Sequence, residues 1–184
     1  RLNAGGGTFT APLEVRLDPR VTTTKADLDL QFEWMMRIRD LLGDVHRTVL
    51  EIRSARGQIA DLAKRLPAGG EAETLAALGR GIDQKMGVIE EELIEVRAKS
   101  SQDMCNYPTR LSSKVAWLSR VVDSADAAPT QQARELYQQF RGRADAGIAA
   151  WRALVAGDIA DLNGRAKSAG VPAVALPATP SGTR

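Results

Sequence analysis

"LDLQFEWMMRIRDLLGDVHRTVLEIRSARGQIADLAKRL" (Leu28–Leu66) decides the architecture of this chain. Leu28, Met35, Leu42, Val49 and Ala63 recur at one position of a heptad, and Ile38, Val45, Ile52, Ile59 and Leu66 at the other. Only Gln31 and Arg56 interrupt the seam. Seven-residue spacing of apolar side chains keeps them on one helical face. Phe32, Trp34, Leu41 and Leu62 widen that face, so the pattern fits a bundle helix better than a two-stranded coiled coil. Thr24 and Asp27 supply a capping-box start, and Pro67, Gly69 and Gly70 an end. The predicted helix runs from Lys25 to Leu66, about 63 Å at 1.5 Å per residue. Arg56, inside the seam, is expected to snorkel or to pair with a carboxylate of the next helix and fix its register.

Working outward, a second helix is predicted from Glu71 to Lys99, with Leu75, Leu78, Ile82, Met86, Ile89, Leu93 and Val96 on one side. Glu90, Glu91 and Glu92 cannot share a direction, because helical neighbours lie about 100° apart; a solvated face is expected. "SSQDMCNYP" (Ser100–Pro108) reads as a loop. A third helix follows over Pro108–Ser124, presenting Leu111, Val115, Leu118 and Val122. A fourth, with Pro129 in its first turn, carries Ala133, Leu136, Phe140, Ala144, Ile148, Trp151, Val155, Ile159 and Leu162 to near Gly170. Short connections predict an antiparallel up-and-down bundle of about four helices. The long first and fourth lie side by side, and the second and third share the remaining space.

Upstream, "TFTAPLEVRL" (Thr8–Leu17) alternates, with Phe9, Leu13, Val15 and Leu17 toward one face. Pro12 pushes this strand toward an edge or a break. A lone strand cannot satisfy its own ladder, so these four residues are the candidate interaction residues. The organisation expected is a loop and terminal β-strand over 1–19, a helical bundle over 20–170, and a Pro-rich flexible tail over 171–184.

Composition agrees with a mainly α chain: 43% apolar and 26% charged residues, but only 4% aromatic. The 25 basic and 23 acidic side chains are spread along the chain, and no basic cluster marks a nucleic-acid footprint. No apolar run approaches the roughly 18 residues of a membrane span. Cys105 is the single cysteine, so no disulfide forms within the chain and thiol usage does not reveal a compartment. The chain begins at Arg1, not Met, which fits a processed or excised piece.

Chemistry is sparse. His46 is the single histidine, with no metal-binding spacing around it, and is expected on a solvated flank. "NAGGGT" (Asn3–Thr8) lacks the Lys-Ser/Thr ending of a phosphate loop. Cys105 is expected as a small packed residue. Trp34, Trp117 and Trp151 sit at core-like spacings and are expected to pack. No catalytic, metal or cofactor-binding residue emerges, and no cofactor is implied.

The order "GGTFTAPLEVRLDPRV", "DLDLQFEWMMRIRDLLGDVHRTVLEIRSARGQI", "NYPTRLSSKVAWLSRVVDSADAAPTQQARELYQQF" and "DIADLNGRAKSAGV" resembles one family over about Phe9 to Val171. It is similar to the C-terminal region of bacterial sortilin-like proteins with BNR (Asp-box) β-propellers, often described as glycosyl hydrolase-like. There a propeller is followed by a β-sandwich whose last strand ends in a "DPR" element, and a helical module closes the chain. The resemblance implies a periplasmic or extracellular setting. The Asp-box pattern itself is absent here, so no catalytic residue carries over. The leading expectation is a noncatalytic interaction module that is the C-terminal bundle of an exported multidomain protein. Its partner would be a protein: the preceding domain or another subunit. The alternative is an autonomous adaptor that docks by strand addition on a larger complex, with a membrane surface as one setting. An enzyme fragment is the third.

Overall fold

The computed structural model describes residues 1–66 and 69–176, with the side chains of Ser101 and Met104 set aside. Its helices are α1 (Lys25–Arg65), α2 (Gly70–Leu93), α3 (Leu111–Val122), α4 (Gln131–Leu154) and α5 (Ala160–Ser168). A π turn, Val155–Ile159, joins α4 to α5 as one continuous rod, and a short 3-10 helix spans Ser101–Cys105. Pro67 as a helix stop, and Pro177 and Pro180 of the tail, lie outside the described residues.

Side-chain pairings fix the directions. Arg53 meets Glu90 while Arg56 meets Asp83, so α2 runs antiparallel to α1. Gln31 donates to the carbonyls of Val122 and Ala125, placing the end of α3 beside the start of α1. Trp34 packs edge-on to Tyr137 and, further along both helices, Glu51 accepts from Trp151 Nε1–H at 2.8 Å, so α4 runs parallel to α1. The bundle therefore has three lanes. α1 goes up, α2 and then α3 come down in succession, and α4 with α5 goes up again. The second and third helices share one lane as expected, and both point the same way.

The core forms two clusters along α1. Trp34, Ile38, Leu41, Val45 and Val49 pack with Leu111, Val115, Leu118 and Val122 of α3 and with Tyr137 of α4. Ile52, Ala55, Ile59 and Leu62 pack with Leu75, Ile82 and Met86 of α2 and with Trp151, Ile159 and Leu162. Ile89 touches both. The seam is thus centred on Ile38, Val45, Ile52 and Ile59 and deepest on the side of Trp34, Leu41, Thr48, Ala55 and Leu62. Met35 and Leu42 of the predicted heptad are half-buried, and Ala63 is exposed. A three-lane bundle covers α1 from two sides, so the stripe is three residues wide.

Local chemistry sets the ends. The Asp27 N–H donates to Thr24 Oγ1 (3.2 Å) and the Thr24 N–H to Asp27 Oδ2 (3.1 Å), the reciprocal cap expected at α1. Thr130 caps α4, so Pro129 precedes the helix and does not lie in its first turn as expected. α2 stops at Leu93, short of the predicted Lys99, so Val96 lies beyond it and is exposed. Ser100 and Asp103 form a second reciprocal cap that starts the 3-10 helix where a loop was expected. Pro108 then disfavours the helical conformation at Tyr107.

The break between α2 and α3 is held by a buried carboxylate. Glu95 accepts from Arg97 Nε (2.7 Å) and Nη2 (2.9 Å) and from the Arg97 N–H (3.0 Å), with Arg110 Nε at 3.5 Å. The Arg97 guanidinium also lies over the Tyr107 ring at 4.4 Å. Arg97 holds the Glu95 pKa down to about 2, below its ordinary value of 4.5, with burial opposing. A carboxylate whose folded pKa is lowered stabilises above its unfolded pKa and loses that contribution as pH falls through the folded one. Melting temperature is therefore expected to fall between about pH 4.5 and pH 2, and a Glu95→Gln variant to decline less over that window. Equal slopes in thermal melts at a series of pH values would contradict this.

Gly57 in α1 has nothing within 4 Å of where a Cβ would sit. Gly57→Ala is expected to stabilise by about 0.5–1 kcal/mol, read as a higher melting temperature. Gly147 differs, since its Cβ would meet the fully buried Leu93 at 3.0 Å.

The N-terminus departs from the expected strand. Leu2–Ala4 (β1) and Gly7–Phe9 (β2) form an antiparallel hairpin; β1 lies in the stretch read as a loop, and β2 takes in Thr8 and Phe9, the first two residues of the predicted strand. Gly5 (φ 57°) and Gly6 (φ 76°) supply the two left-handed residues that a tight hairpin turn needs. Residues 10–17 form no strand. Pro12 has no N–H to give to a ladder. At the other end, residues 171–176 of the predicted flexible tail are tied down. Asn163 exchanges hydrogen bonds with the Val174 backbone (2.7 and 3.0 Å), and Gln58 with that of Ala175, and Val174 is buried. The tail beyond Leu176 lies outside the described residues.

Candidate interaction surface

Two uncovered apolar surfaces stand out. The first is the arm before α1. Leu13 is 89% and Val15 88% exposed, and Phe9 and Leu17 are exposed beside them. Glu14 and Arg16 pair with each other at 2.7 Å. At the arm's base the Val21 N–H donates to the Asp18 carbonyl (2.9 Å), and Arg20 grips the Asp18 carboxylate (3.0 and 2.6 Å). That guanidinium lowers the pKa of Asp18. The four candidate residues thus share one segment and remain uncovered.

The second surface is a groove of about 440 Å³ between α3 and α4, lined by Trp117, Leu118, Val121, Leu136 and Phe140. Trp117 is 64% exposed, which corrects the expectation that all three tryptophans pack. Trp34 and Trp151 are buried, the former edge-on to Tyr137 at 5.3 Å. Leu136, expected in the core, is exposed, because Tyr137 takes the inward position. Phe32 likewise faces outward. The signal for this groove lies in the sequence: Leu111, Val115, Leu118 and Val122 already fill one face of α3, so Trp117 and Val121, spaced i, i+4, make a second stripe.

Charged side chains elsewhere pair with one another. Glu90, expected in solvent, is 2% exposed and accepts from Arg53 (2.5 Å) and Arg56 (2.8 Å), while Arg56 also donates to Asp83 (2.7 Å). The register-fixing role read for Arg56 is met by these two carboxylates of α2. Glu91 and Glu92 are exposed. A mixed-charge cleft of about 600 Å³ between α1 and α4 holds Asp44, Arg47 and Glu51 against Arg141, Asp145 and Arg152. Asp44 lies 3.1 Å from Arg47, and Arg141 lies 3.0 Å from Asp145.

His46 is exposed, as expected. Cys105 is exposed, not packed. Among the described residues no group of three or more His, Cys, Asp or Glu could hold a metal ion, and no helix is long and apolar enough to cross a membrane.

No family model, curated protein or solved structure matches this chain.

Proposed function

We propose that this chain is a noncatalytic protein-interaction module. The observation that carries the reading is the pairing of an apolar arm (Leu13, Val15, Leu17) with an apolar groove (Trp117, Val121, Leu136, Phe140), both uncovered. Contiguous exposed apolar surface on a folded chain marks a contact site. The motif order in the sequence supports placing the module as the C-terminal bundle of an exported multidomain β-propeller protein, with a protein as partner.

Hydrogen exchange on the native assembly against the isolated chain tests this. Residues 10–17 and 113–121 are expected to gain protection in the assembly. Unchanged exchange at both would overturn the interaction reading. For the noncatalytic part, a broad hydrolase screen with wild type and His46→Ala should give two indistinguishable blanks. Turnover that His46→Ala abolishes, with folding intact, would refute it.

A further inference from the structure

We propose that the α1/α4 cleft binds a small zwitterion with an apolar body, a free amino acid or short peptide whose ammonium meets Glu51 and whose carboxylate meets Arg152. The site is separate from the arm and the α3/α4 groove and does not depend on them.

The cleft has a volume of about 600 Å³, within the range of small-molecule sites. One end is electrically balanced. Asp44 pairs with Arg47 (3.1 Å) and reaches Arg141 (3.8 Å), and Arg141 pairs with Asp145 (3.0 Å), so each charge there has an opposite neighbour. Farther along, the pairing stops. Glu51 Oε2 accepts from the buried Trp151 Nε1–H at 2.8 Å, and Oε1 has no partner among the described residues. Arg152, exposed and next to Trp151, makes no side-chain hydrogen bond or ion pair among them either. Both residues line the cleft, yet they do not pair with each other.

The surface around them is apolar. Ile148 and Val155, which the helical period assigns to the core, are half-buried and line the cleft. The π turn takes Val155 off the buried stripe. Buried positions step from Leu154 to Ile159 across it, where an α-helix would step by three or four. Such turns are rare and recur at functional sites. Leu176 closes the apolar end, held there because Gln58 exchanges hydrogen bonds of 2.7 Å with the Ala175 backbone.

These features select the ligand. An anion alone would face the Glu51 carboxylate, and a cation alone would face the Arg152 guanidinium. A molecule that carries both charges satisfies both, and its apolar side chain covers Ile148, Val155 and Leu176. The Trp151 bond already holds the Glu51 carboxylate in place, so little further ordering opposes binding.

Nuclear magnetic resonance on the 184-residue chain reads the site directly, since the Trp151 indole N–H donates to Glu51. Leucine and leucyl-leucine are expected to shift the Trp151 indole signal saturably and to leave that of Trp117 in place. N-acetylleucine lacks the ammonium and leucinamide the carboxylate. Each should bind at least about tenfold more weakly, the scale of one lost charged hydrogen bond. Glu51→Gln keeps an acceptor for Trp151 and should bring leucine down to the level of N-acetylleucine. Arg152→Gln should bring it down to the level of leucinamide. Whichever of leucine and leucyl-leucine binds more tightly identifies the source of the zwitterion.

No saturable shift with either zwitterion overturns the proposal. So does equal binding of all four probes, which would leave apolar contact alone. Unchanged leucine affinity in either variant, with the remaining signals showing the native fold, overturns it as well.

Discussion

Leu41→Asp leaves the chain without a cooperative melting transition. Leu41 is fully buried in the apolar cluster that joins α1, α3 and α4. Such a substitution removes a large apolar side chain and buries an uncompensated charge, together at least about 4–5 kcal/mol. That is most or all of the roughly 5–15 kcal/mol by which a domain is stable. Leu42→Asp, one residue on and half-buried, can turn its carboxylate toward water and should melt cooperatively at a lower temperature. Far-UV circular dichroism melts of the two variants decide the matter. Equal behaviour would mean that α1 is rotated from the orientation described.

The second large effect concerns the carboxylate between α1 and α2. Arg53→Ala/Arg56→Ala strips Glu90, only 2% exposed, of both its cations. Leaving one member of a buried ion pair uncompensated costs about 3–5 kcal/mol. Either single substitution leaves one arginine in place, and each should cost well under half of the double. Both arginines are partly exposed, so the desolvation penalty falls on Glu90 itself. Glu90→Met in the doubly substituted background is therefore expected to recover most of the loss, because an apolar side chain of similar length suits the site without a partner. Denaturant midpoints for the four variants give the test. Additive single losses, or no recovery by Glu90→Met, would show that Glu90 is solvated.

The bundle was legible in the sequence because its signal is repeated. Ile38, Val45, Ile52 and Ile59 mark the centre of α1 by period alone, and Thr24 with Asp27 marks its start. Arg56 was legible as a register device, since a cation within an apolar seam demands a partner. What failed turned on one residue of rotation or on contacts distant in sequence. Glu90 lies among three glutamates, and nothing local singles out the one that faces Arg53 and Arg56. Leu136 and Tyr137 are adjacent apolar candidates, and the choice between them depends on Trp34 across the bundle. The end of α2 was missed because Glu95 is drawn inward by Arg97 and Arg110, a tertiary arrangement that overrides good helix formers. The hairpin escaped notice because its strands are three residues each and its turn is two glycines. The groove was readable in principle from the second stripe on α3, but which stripe faces water depends on where α1 lies.

The split second lane gives the molecule uneven stiffness. Two of its three rods carry unbroken ladders past the middle, whereas the third is spliced at residues 94–110, beside the junction of the two core clusters. Flexing a helix means straining its ladder, so the assembly yields most readily toward or away from the splice. The Glu90 clamp on one side and the Glu95 clamp on the other act as rivets at the joint. A load applied at one end, where arm and groove sit, would thus reach the far end as a pivot about this joint instead of a uniform bow.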